Sequence, residues 1–164
     1  MLVDSHAHLE MKDFDKDRDR VIARALAAGV SHIITVATTI PDAQKALNIA
    51  QKNESVYVAI GIHPHEVKDI SEGDYDELRS LAQEKKVVAF GEIGLDFYRN
   101  HSPREIQLSR FRELLRLGKD LGLPIILHDR DAHAEILKIL QEEGNGQWKG
   151  VFHCFSGDYE MARK

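Results

Sequence analysis

The sequence has 164 residues, of which 43% are hydrophobic and 30% are charged, and its formal net charge is −5. This balance is typical of a globular chain and argues against intrinsic disorder and against a generally basic nucleic-acid-binding surface. The single cysteine, Cys154, excludes an intrachain disulfide. With no signal peptide and no long apolar segment visible, the sequence predicts a cytoplasmic protein without a membrane segment.

Six short β-like segments alternate with segments of helical period along the chain. The predicted strands cover, in chain order, residues 2–8, 33–37, 56–61, 87–92, 124–128 and 150–153. They are nearly continuous in apolar residues, as expected for parallel strands that are covered on both faces. The pattern predicts an α/β fold in a single domain over residues 1–164.

Glycine, proline and serine mark the ends of the predicted helices. Gly29 and Gly122 each follow a segment of helical period, so we expect helices to stop there. Ser102 and Glu105 have the spacing of a capping box, which places Pro103 at the first helical position.

The spacing of the strands is that of a barrel-forming chain. Successive strands begin about 29 residues apart, so eight units would need roughly 235 residues, which is close to a typical (β/α)8 barrel. The chain holds about six such units. It is therefore predicted to form either an open six-stranded α/β sheet or about six of the eight units of a barrel, and length alone does not decide between them.

Histidines and one acid lie at the carboxyl ends of the predicted strands. His6 and His8 are two residues apart on the first strand and so share a face, while Glu92, His128 and His153 end the fourth, fifth and sixth strands. Sites in α/β proteins are built at this end of the strands, and these ligands suit Zn, Mn, Fe or Ni better than Ca. Five ligands exceed the needs of one tetrahedral ion. The pattern therefore predicts two ions about 3.5–4 Å apart, bridged by Glu92.

Other polar residues adjoin the same end of the strands. His63 follows the third strand and is predicted to contact substrate, whereas alternation predicts that His65 points away. Arg130 follows His128 and is placed either to clamp a phosphate or to pair with a neighbouring acid. Asp4 shares the face of His6 and is predicted to orient a metal ligand.

Four further residues are predicted to lie outside the site. Alternation directs Cys154 toward the covering helices, as a core residue. His32, His101 and His133 do not fit the strand-end pattern and are predicted to face solvent. The sequence has no nucleophile elbow, P-loop or dinucleotide fingerprint, so it does not support a serine hydrolase, an NTPase or a Rossmann enzyme.

Five segments resemble, in order and spacing, the successive signatures of the TatD family. They are VDSHAHL (3–9), GIHPH (61–65), GEIGLDF (91–97), LHDRDA (127–132) and FHCFSG (152–157). The resemblance extends over the whole chain. The family comprises metal-dependent deoxyribonucleases among the amidohydrolase-like TIM barrels, so the resemblance implies a (β/α)8 barrel of which about six units are present.

The resemblance also implies a role for each matching residue. It implies that His63 lies near the scissile phosphate and that Glu92 bridges the two metals, with His6 and His8 on the first metal and His128 and His153 on the second. The family carries a further aspartate at the end of the eighth strand, which binds the first metal and is the usual candidate for activating water. The sequence stops before that motif. We therefore expect a natural protein of about 250 residues, and, for this chain alone, exposed edges on the first and sixth strands and greatly reduced catalysis.

The function implied is hydrolysis of phosphodiester bonds in DNA, from the 3′ end of single strands, with His63 and Arg130 contacting the nucleic acid. The cofactors implied are two divalent ions (Mg, Mn or Zn) that activate water. The runner-up is an amide or ester hydrolase of the amidohydrolase type, including an aminoacyl-tRNA deacylase. The third interpretation is an inactive metal-binding fragment. Comparing turnover of dinucleotide and acyl substrates separates the two enzymes.

Overall fold

A computed structural model describes residues 1–144 and 147–163, in which six parallel strands form one sheet in the order β1-β2-β3-β4-β5-β6. The strands are β1 (Leu2–Ala7), β2 (Val30–Val36), β3 (Val56–Ile60), β4 (Val87–Asp96), β5 (Ile125–Arg130) and β6 (Gly150–Phe152). An open doubly wound sheet reverses its strand order at one point, whereas a (β/α)8 barrel adds each strand beside the previous one. The chain therefore forms six successive units of a barrel.

Helices connect the strands, as the α/β pattern predicts. They are α1 (Arg18–Ala27), α2 (Ile40–Lys52), α3 (Glu72–Leu81), α4 (Arg104–Leu121) and α5 (His133–Gly144), with the short α6 (Tyr159–Ala162) after β6. Gly29 and Gly122 have φ angles of 93° and 69°, which confirms the two predicted helix stops because a side chain disfavours that conformation. Among the described residues, no helix combines the length and the apolar character needed to cross a bilayer.

The main apolar core lies between the sheet and its covering helices. Its most deeply buried members include Val56, Val58 and Ile60 on β3, Phe90, Ile93 and Leu95 on β4, and Phe111, Leu114 and Leu115 on α4. A second, smaller cluster contains Val36, Ala59, Ala89 and Ile126. Because Val58 and Ala59 are neighbours on one strand, the two clusters lie on opposite faces of the sheet.

The outer strands are the most exposed part of the sheet. β1 pairs with β2, and β6 pairs with β5. Leu2, Val3 and Val151 on these two strands are 62%, 48% and 49% exposed. Exposed edges on the first and sixth strands are what the sequence predicts.

Strand β4 is longer than predicted, because it continues for four residues beyond Glu92. Gly91 and Gly94 interrupt it with φ angles of 154° and 149°. A Cβ atom at Gly94 would lie 2.0 Å from the carbonyl oxygen of His128, so only glycine lets β4 approach β5 this closely. The extension carries Asp96 to the same end of the sheet as Glu92.

The predicted capping box at Ser102 is wrong. Helix α4 begins at Arg104 with Pro103 as its N-cap, and it has no side-chain cap. The Ser102 hydroxyl instead donates to the carbonyl oxygen of His65 (2.8 Å) and accepts from the backbone N–H of Lys68 (3.2 Å). Ser102 is fully buried by this contact. Its hydroxyl therefore fixes the loop after β3 rather than the start of α4.

Candidate metal centre

The histidines and Glu92 meet at the carboxyl ends of the strands. His6 lies on β1 and His153 directly follows β6, yet their rings stack with centroids 3.4 Å apart and an interplanar angle of 11°. In a flat sheet, five strand spacings would separate the outer strands by about 24 Å. The stack therefore shows that the sheet curls until its outer strands converge at this end.

Glu92 is shared by two groups of potential metal ligands. The first contains His6, Glu92 and His153, the second contains His63, Glu92 and His128, and within each group the ligand atoms lie within 4.8 Å of one another. Oε2 of Glu92 is 3.3 Å from Nε2 of His6, and Oε1 is 2.7 Å from Nδ1 of His128. One carboxylate oxygen thus faces each group.

The residues of both groups fit a divalent metal ion. Two ligands that bind one ion at about 2.1 Å and at right angles are about 3.0 Å apart, which matches the contacts of Glu92 and the 3.2 Å between Nε2 of His63 and Nδ1 of His128. Both ring nitrogens of His6 are buried without a hydrogen-bond partner among the described residues. Buried polar atoms seldom stay unpaired. Their placement is explained if His6 binds an ion.

The environment of these groups sets their protonation. Burial lowers the pKa of His63 to about 3, and burial next to His6 lowers the pKa of His153, so both imidazoles offer lone pairs at neutral pH. Burial of Glu92 opposes its ionisation, but the neighbouring imidazoles of His128 and His6 outweigh that effect and hold the pKa of Glu92 well below its usual range. Glu92 is therefore ionised at neutral pH.

Asp96 is a second buried carboxylate at the centre, and the fourth strand predicted from the sequence stops short of it. It is 1% exposed, and its Oδ2 lies 3.2 Å from Nε2 of His128 and 2.8 Å from Nε2 of His65. Burial of His128 opposes its protonation, but Glu92 and Asp96 outweigh the burial and raise its pKa. Glu92 and Asp96 are four residues apart, so in one strand their side chains lie on the same face. The predicted strand ends at Glu92, and the relation could therefore not be seen.

Gln107 of α4 holds Asp96 in place. The backbone N–H of Asp96 donates to Oε1 of Gln107 (2.8 Å), and Nε2 of Gln107 donates to the carbonyl oxygens of Asp96 (3.1 Å) and Ser102 (2.8 Å). Gln107 is fully buried. These bonds fix the end of β4 against α4.

His8 lies beside the two groups but is a member of neither. Its ring centroid is 5.0 Å from that of His6, and its Nδ1 is 2.7 Å from the carbonyl oxygen of Val36 and 3.3 Å from Oε1 of Glu10. Glu10 is buried and accepts a hydrogen bond from Thr35. Both His8 and Glu10 follow the end of β1, which lies one residue earlier than the predicted strand end, so alternation along the strand does not reach them. Because Nδ1 donates to Val36, Nε2 is the ring nitrogen of His8 that could bind an ion.

Arg130 and Asp4 lie at the margin of the centre. Arg130 is exposed, and its guanidinium carbon is 4.1 Å from the centroid of the Tyr98 ring. No carboxylate among residues 1–144 and 147–163 pairs with it. Asp4 is exposed and accepts from the backbone N–H of His6 (3.1 Å), so it fixes the strand rather than the imidazole.

Two predictions from alternation are wrong, because the residues lie in loops and not in strands. His65 follows the end of β3 and turns toward Asp96, with its ring also 4.3 Å from that of His63. Cys154 follows the end of β6, has a φ of 47° and is exposed, so it is not a core residue.

The three histidines predicted to face solvent differ in their exposure. His101 is exposed, and its ring lies against that of His65, with centroids 4.6 Å apart. His32 and His133 are half-buried, which the prediction did not anticipate, and Nδ1 of His133 lies 2.7 Å from Oδ2 of Asp129.

Comparisons with known proteins agree with this arrangement. The chain is 41% identical over 164 residues to an uncharacterized metal-dependent hydrolase, YabD, from Bacillus subtilis, and 40% identical over 163 residues to a protein named 3'-5' ssDNA/RNA exonuclease TatD from Cronobacter sakazakii. These alignments cover 100% and 99% of the chain, and 64% and 62% of the relatives. The chain thus spans less than two thirds of their length.

Solved structures give the same result. A hydrolase TatD family protein from Entamoeba histolytica superposes with a TM-score of 0.91 at 34% identity, over 99% of this chain and 60% of that one. The TatD homolog YJJV from Escherichia coli superposes with a TM-score of 0.90 at 33% identity, over 99% and 63%. The family model described as TatD related DNase matches residues 3–164. With its strand order and the Glu92-centred histidine groups, the chain therefore belongs to the TatD related DNase family.

Proposed function

We propose that the protein is a metal-dependent hydrolase that cleaves phosphodiester bonds of single-stranded DNA from the 3′ end. The observation that carries the proposal is Glu92, a buried carboxylate with one oxygen facing each of two histidine groups. The name of the Cronobacter sakazakii relative, 3'-5' ssDNA/RNA exonuclease, supports this class of substrate. Residues 1–164 belong to a single domain in this proposal, and the location remains cytoplasmic.

The proposed metal ligands are the five strand-end residues, His6, His8, Glu92, His128 and His153. Two divalent ions held there would supply Lewis acidity to a phosphoryl group and would make a water molecule more acidic. Imidazole ligands favour Mn or Zn over Mg. We expect two ions per chain, and elemental analysis of the dialysed protein measures that number.

The chain's own residues would then bind and orient the substrate. Glu92 is ionised and fixes the distance between the two groups. His63 is neutral at pH 7, so its ring N–H can donate a hydrogen bond to a phosphoryl oxygen but brings no full positive charge. Arg130 is exposed beside the centre, and its planar guanidinium suits a phosphate. Glu92 and His63 are therefore assigned to catalysis, and His63 and Arg130 to the substrate.

The proposed function is tested with a 5′-labelled single-stranded oligodeoxynucleotide and added Mn²⁺ or Zn²⁺. We expect a ladder of products shortened from the 3′ end, and loss of activity by about 100-fold or more in Glu92→Gln and His128→Ala, because each change removes charge stabilisation or a ligand. His32→Ala is the matched control, since His32 lies on β2 outside both groups.

Other outcomes would point to another function. Turnover of an acyl ester or an aminoacyl-tRNA, with the oligonucleotide left intact, would favour the amidohydrolase alternative. Binding of two ions with no turnover of either substrate would favour a non-enzymatic metal-binding protein. Both results would contradict the nuclease proposal.

A further inference from the structure

Tyr98 is an exposed aromatic residue beside the metal centre. It lies two residues beyond Asp96, the last residue of β4, and is 61% exposed. The guanidinium carbon of Arg130 is 4.1 Å from the centroid of its ring, and that of Arg99 is 5.9 Å away. Arg130 therefore covers part of the ring, and the exposed remainder offers a flat surface to solvent.

Hydrogen bonds fix the turn that carries Tyr98. The backbone N–H of Phe97 donates to the carbonyl oxygen of Arg130 (2.9 Å), and that of Arg99 donates to Oδ1 of Asp96 (2.7 Å). Nδ2 of Asn100 closes the turn by donating to the carbonyl oxygen of Phe97 (2.8 Å). The backbone that carries the ring is therefore fixed before a ligand binds, which reduces the conformational entropy lost on stacking.

The charges around Tyr98 favour an anion. Arg99 and Arg130 form no ion pair within residues 1–144 and 147–163, whereas the nearby Arg104 pairs with Glu135. The chain as a whole carries a net charge of −5. Asp129 and Asp131 flank Arg130 in the sequence, but Asp129 pairs with His133 and neither forms an ion pair with Arg99 or Arg130. The two guanidinium groups are therefore a small cationic patch beside Tyr98, and their planar forks match a phosphate.

The strand register places this patch next to the metal ligands. Arg130 is the register partner of Asp96, and His128 precedes Arg130 by two residues, which is about 6.6 Å along the strand. A nucleic-acid strand with one of its phosphates at His128 would therefore have the adjoining nucleotide at Arg130 and Tyr98.

We propose that Tyr98, Arg99 and Arg130 form a subsite that binds the nucleotide next to the scissile phosphodiester. The base stacks on the open part of the Tyr98 ring, and the two guanidinium groups bind the adjoining phosphate. This subsite rests on the proposed function and adds to it a means of holding single strands without reading their sequence, because every base has a stacking face.

The test compares three variants in binding a phosphorothioate oligothymidylate, measured by fluorescence anisotropy with the metal-loaded protein. We expect Tyr98→Ala to weaken binding by about 5- to 150-fold, which is the range for loss of one stacked base. Tyr98→Phe keeps the ring and should stay within about threefold of the parent. Tyr57→Ala is the matched control, because the ring of Tyr57 also lies beside a cation, with Nζ of Lys86 4.8 Å from its centroid, but Tyr57 is at the start of β3, at the opposite end of the sheet from the centre.

A substrate with an abasic 3′-terminal nucleotide separates stacking from a general structural effect. The parent protein should bind it more weakly than the normal oligonucleotide, and Tyr98→Ala should cause little further loss. Equal losses on both oligonucleotides, or no loss on either, would overturn the subsite. Failure of the parent protein to cleave any oligonucleotide would overturn the proposed function instead, while the binding measurements would still decide the subsite.

Discussion

At the scale of single residues, Asp96 governs the orientation of two histidines that surround the metal centre. Its Oδ2 lies within 3.2 Å of Nε2 of both His65 and His128. When Nε2–H of His128 donates to Asp96, Nδ1 is left as the lone-pair atom on the side of Glu92 and His63. A carboxylate in this position fixes the ring and its tautomer, and raises its basicity as a ligand.

Asp96→Asn should therefore lower metal affinity by about 10- to 100-fold, because the amide keeps the size of the side chain but loses its charge. Competition with a chromogenic zinc chelator measures the change. Asp76→Asn is the matched control, since Asp76 is exposed on α3. Equal affinities for the parent and the Asp96 variant would show that His128 binds metal without this carboxylate.

Alternation of side chains predicts the direction in which a residue points only if that residue lies within the strand. It predicted that His6 and His8 share a face, of which only His6 lies within β1, 3.3 Å from Glu92. It failed for His65 and Cys154 because both lie in loops after their strands end. Asp96 was missed for the opposite reason, since β4 runs four residues past its predicted end. The boundary of each strand, which depends on pairing with its neighbours, decided every one of these outcomes.

At the scale of elements, the two glycines of β4 allow the strand to run close to β5. Gly94 needs both a positive φ and the absence of a Cβ atom, since that atom would lie 2.0 Å from the carbonyl oxygen of His128. The same strand carries Glu92 and Asp96. Its close approach to β5 thus brings both carboxylates within reach of His128.

Gly94→Ala should destabilise the protein by at least about 2 kcal/mol, from backbone strain together with the clash. Gly122→Ala is the control for strain alone, because Gly122 has a φ of 69° but nothing lies within 4 Å of the position that a Cβ atom would take, and we expect about 1 kcal/mol. Urea unfolding of the two variants measures both values. A Gly94 variant no less stable than the Gly122 variant would contradict the role of the close approach.

The elements themselves could largely be predicted from the sequence. Apolar runs located all six strands, and Gly29 and Gly122 located two helix ends, because these signals are local. The cap of α4 could not be predicted. The Ser102 hydroxyl has two possible partners, the helix N-terminus and the loop after β3, and only the folded arrangement shows that it bonds to His65 and Lys68.

At the scale of the whole molecule, the metal centre joins strands that are distant in the sheet. His6, Glu92 and His128 come from β1, β4 and β5, and His153 follows β6. The choice between an open sheet and a barrel depends on how far the sheet curls, and the length of the chain contains no information on that. The strand order and the stacked rings of His6 and His153 supply it.

Because a metal ion bound there would hold these strands together, saturation with metal should stabilise the fold. At a free ion concentration of about 100 times Kd, linkage gives about 2.7 kcal/mol, which corresponds to a rise in Tm of roughly 5–11 °C for a chain of this size. Differential scanning calorimetry with Zn²⁺ or Mn²⁺, and with EDTA as the reference, measures the shift. The same rise in Glu92→Ala would locate the stabilising ion elsewhere.

The stacked rings of His6 and His153 also bear on the kinetics of folding. Contacts between segments far apart in the chain require the closure of long loops, and the entropic cost of closure delays them relative to local βα pairing. We therefore expect the contact between the two outermost strands to form in the last stage of folding, after the transition state. An ion bound at this contact would chiefly lower the rate of unfolding. The metal-bound protein would therefore be more stable than the metal-free form because it unfolds more slowly, while its folding rate would stay nearly the same.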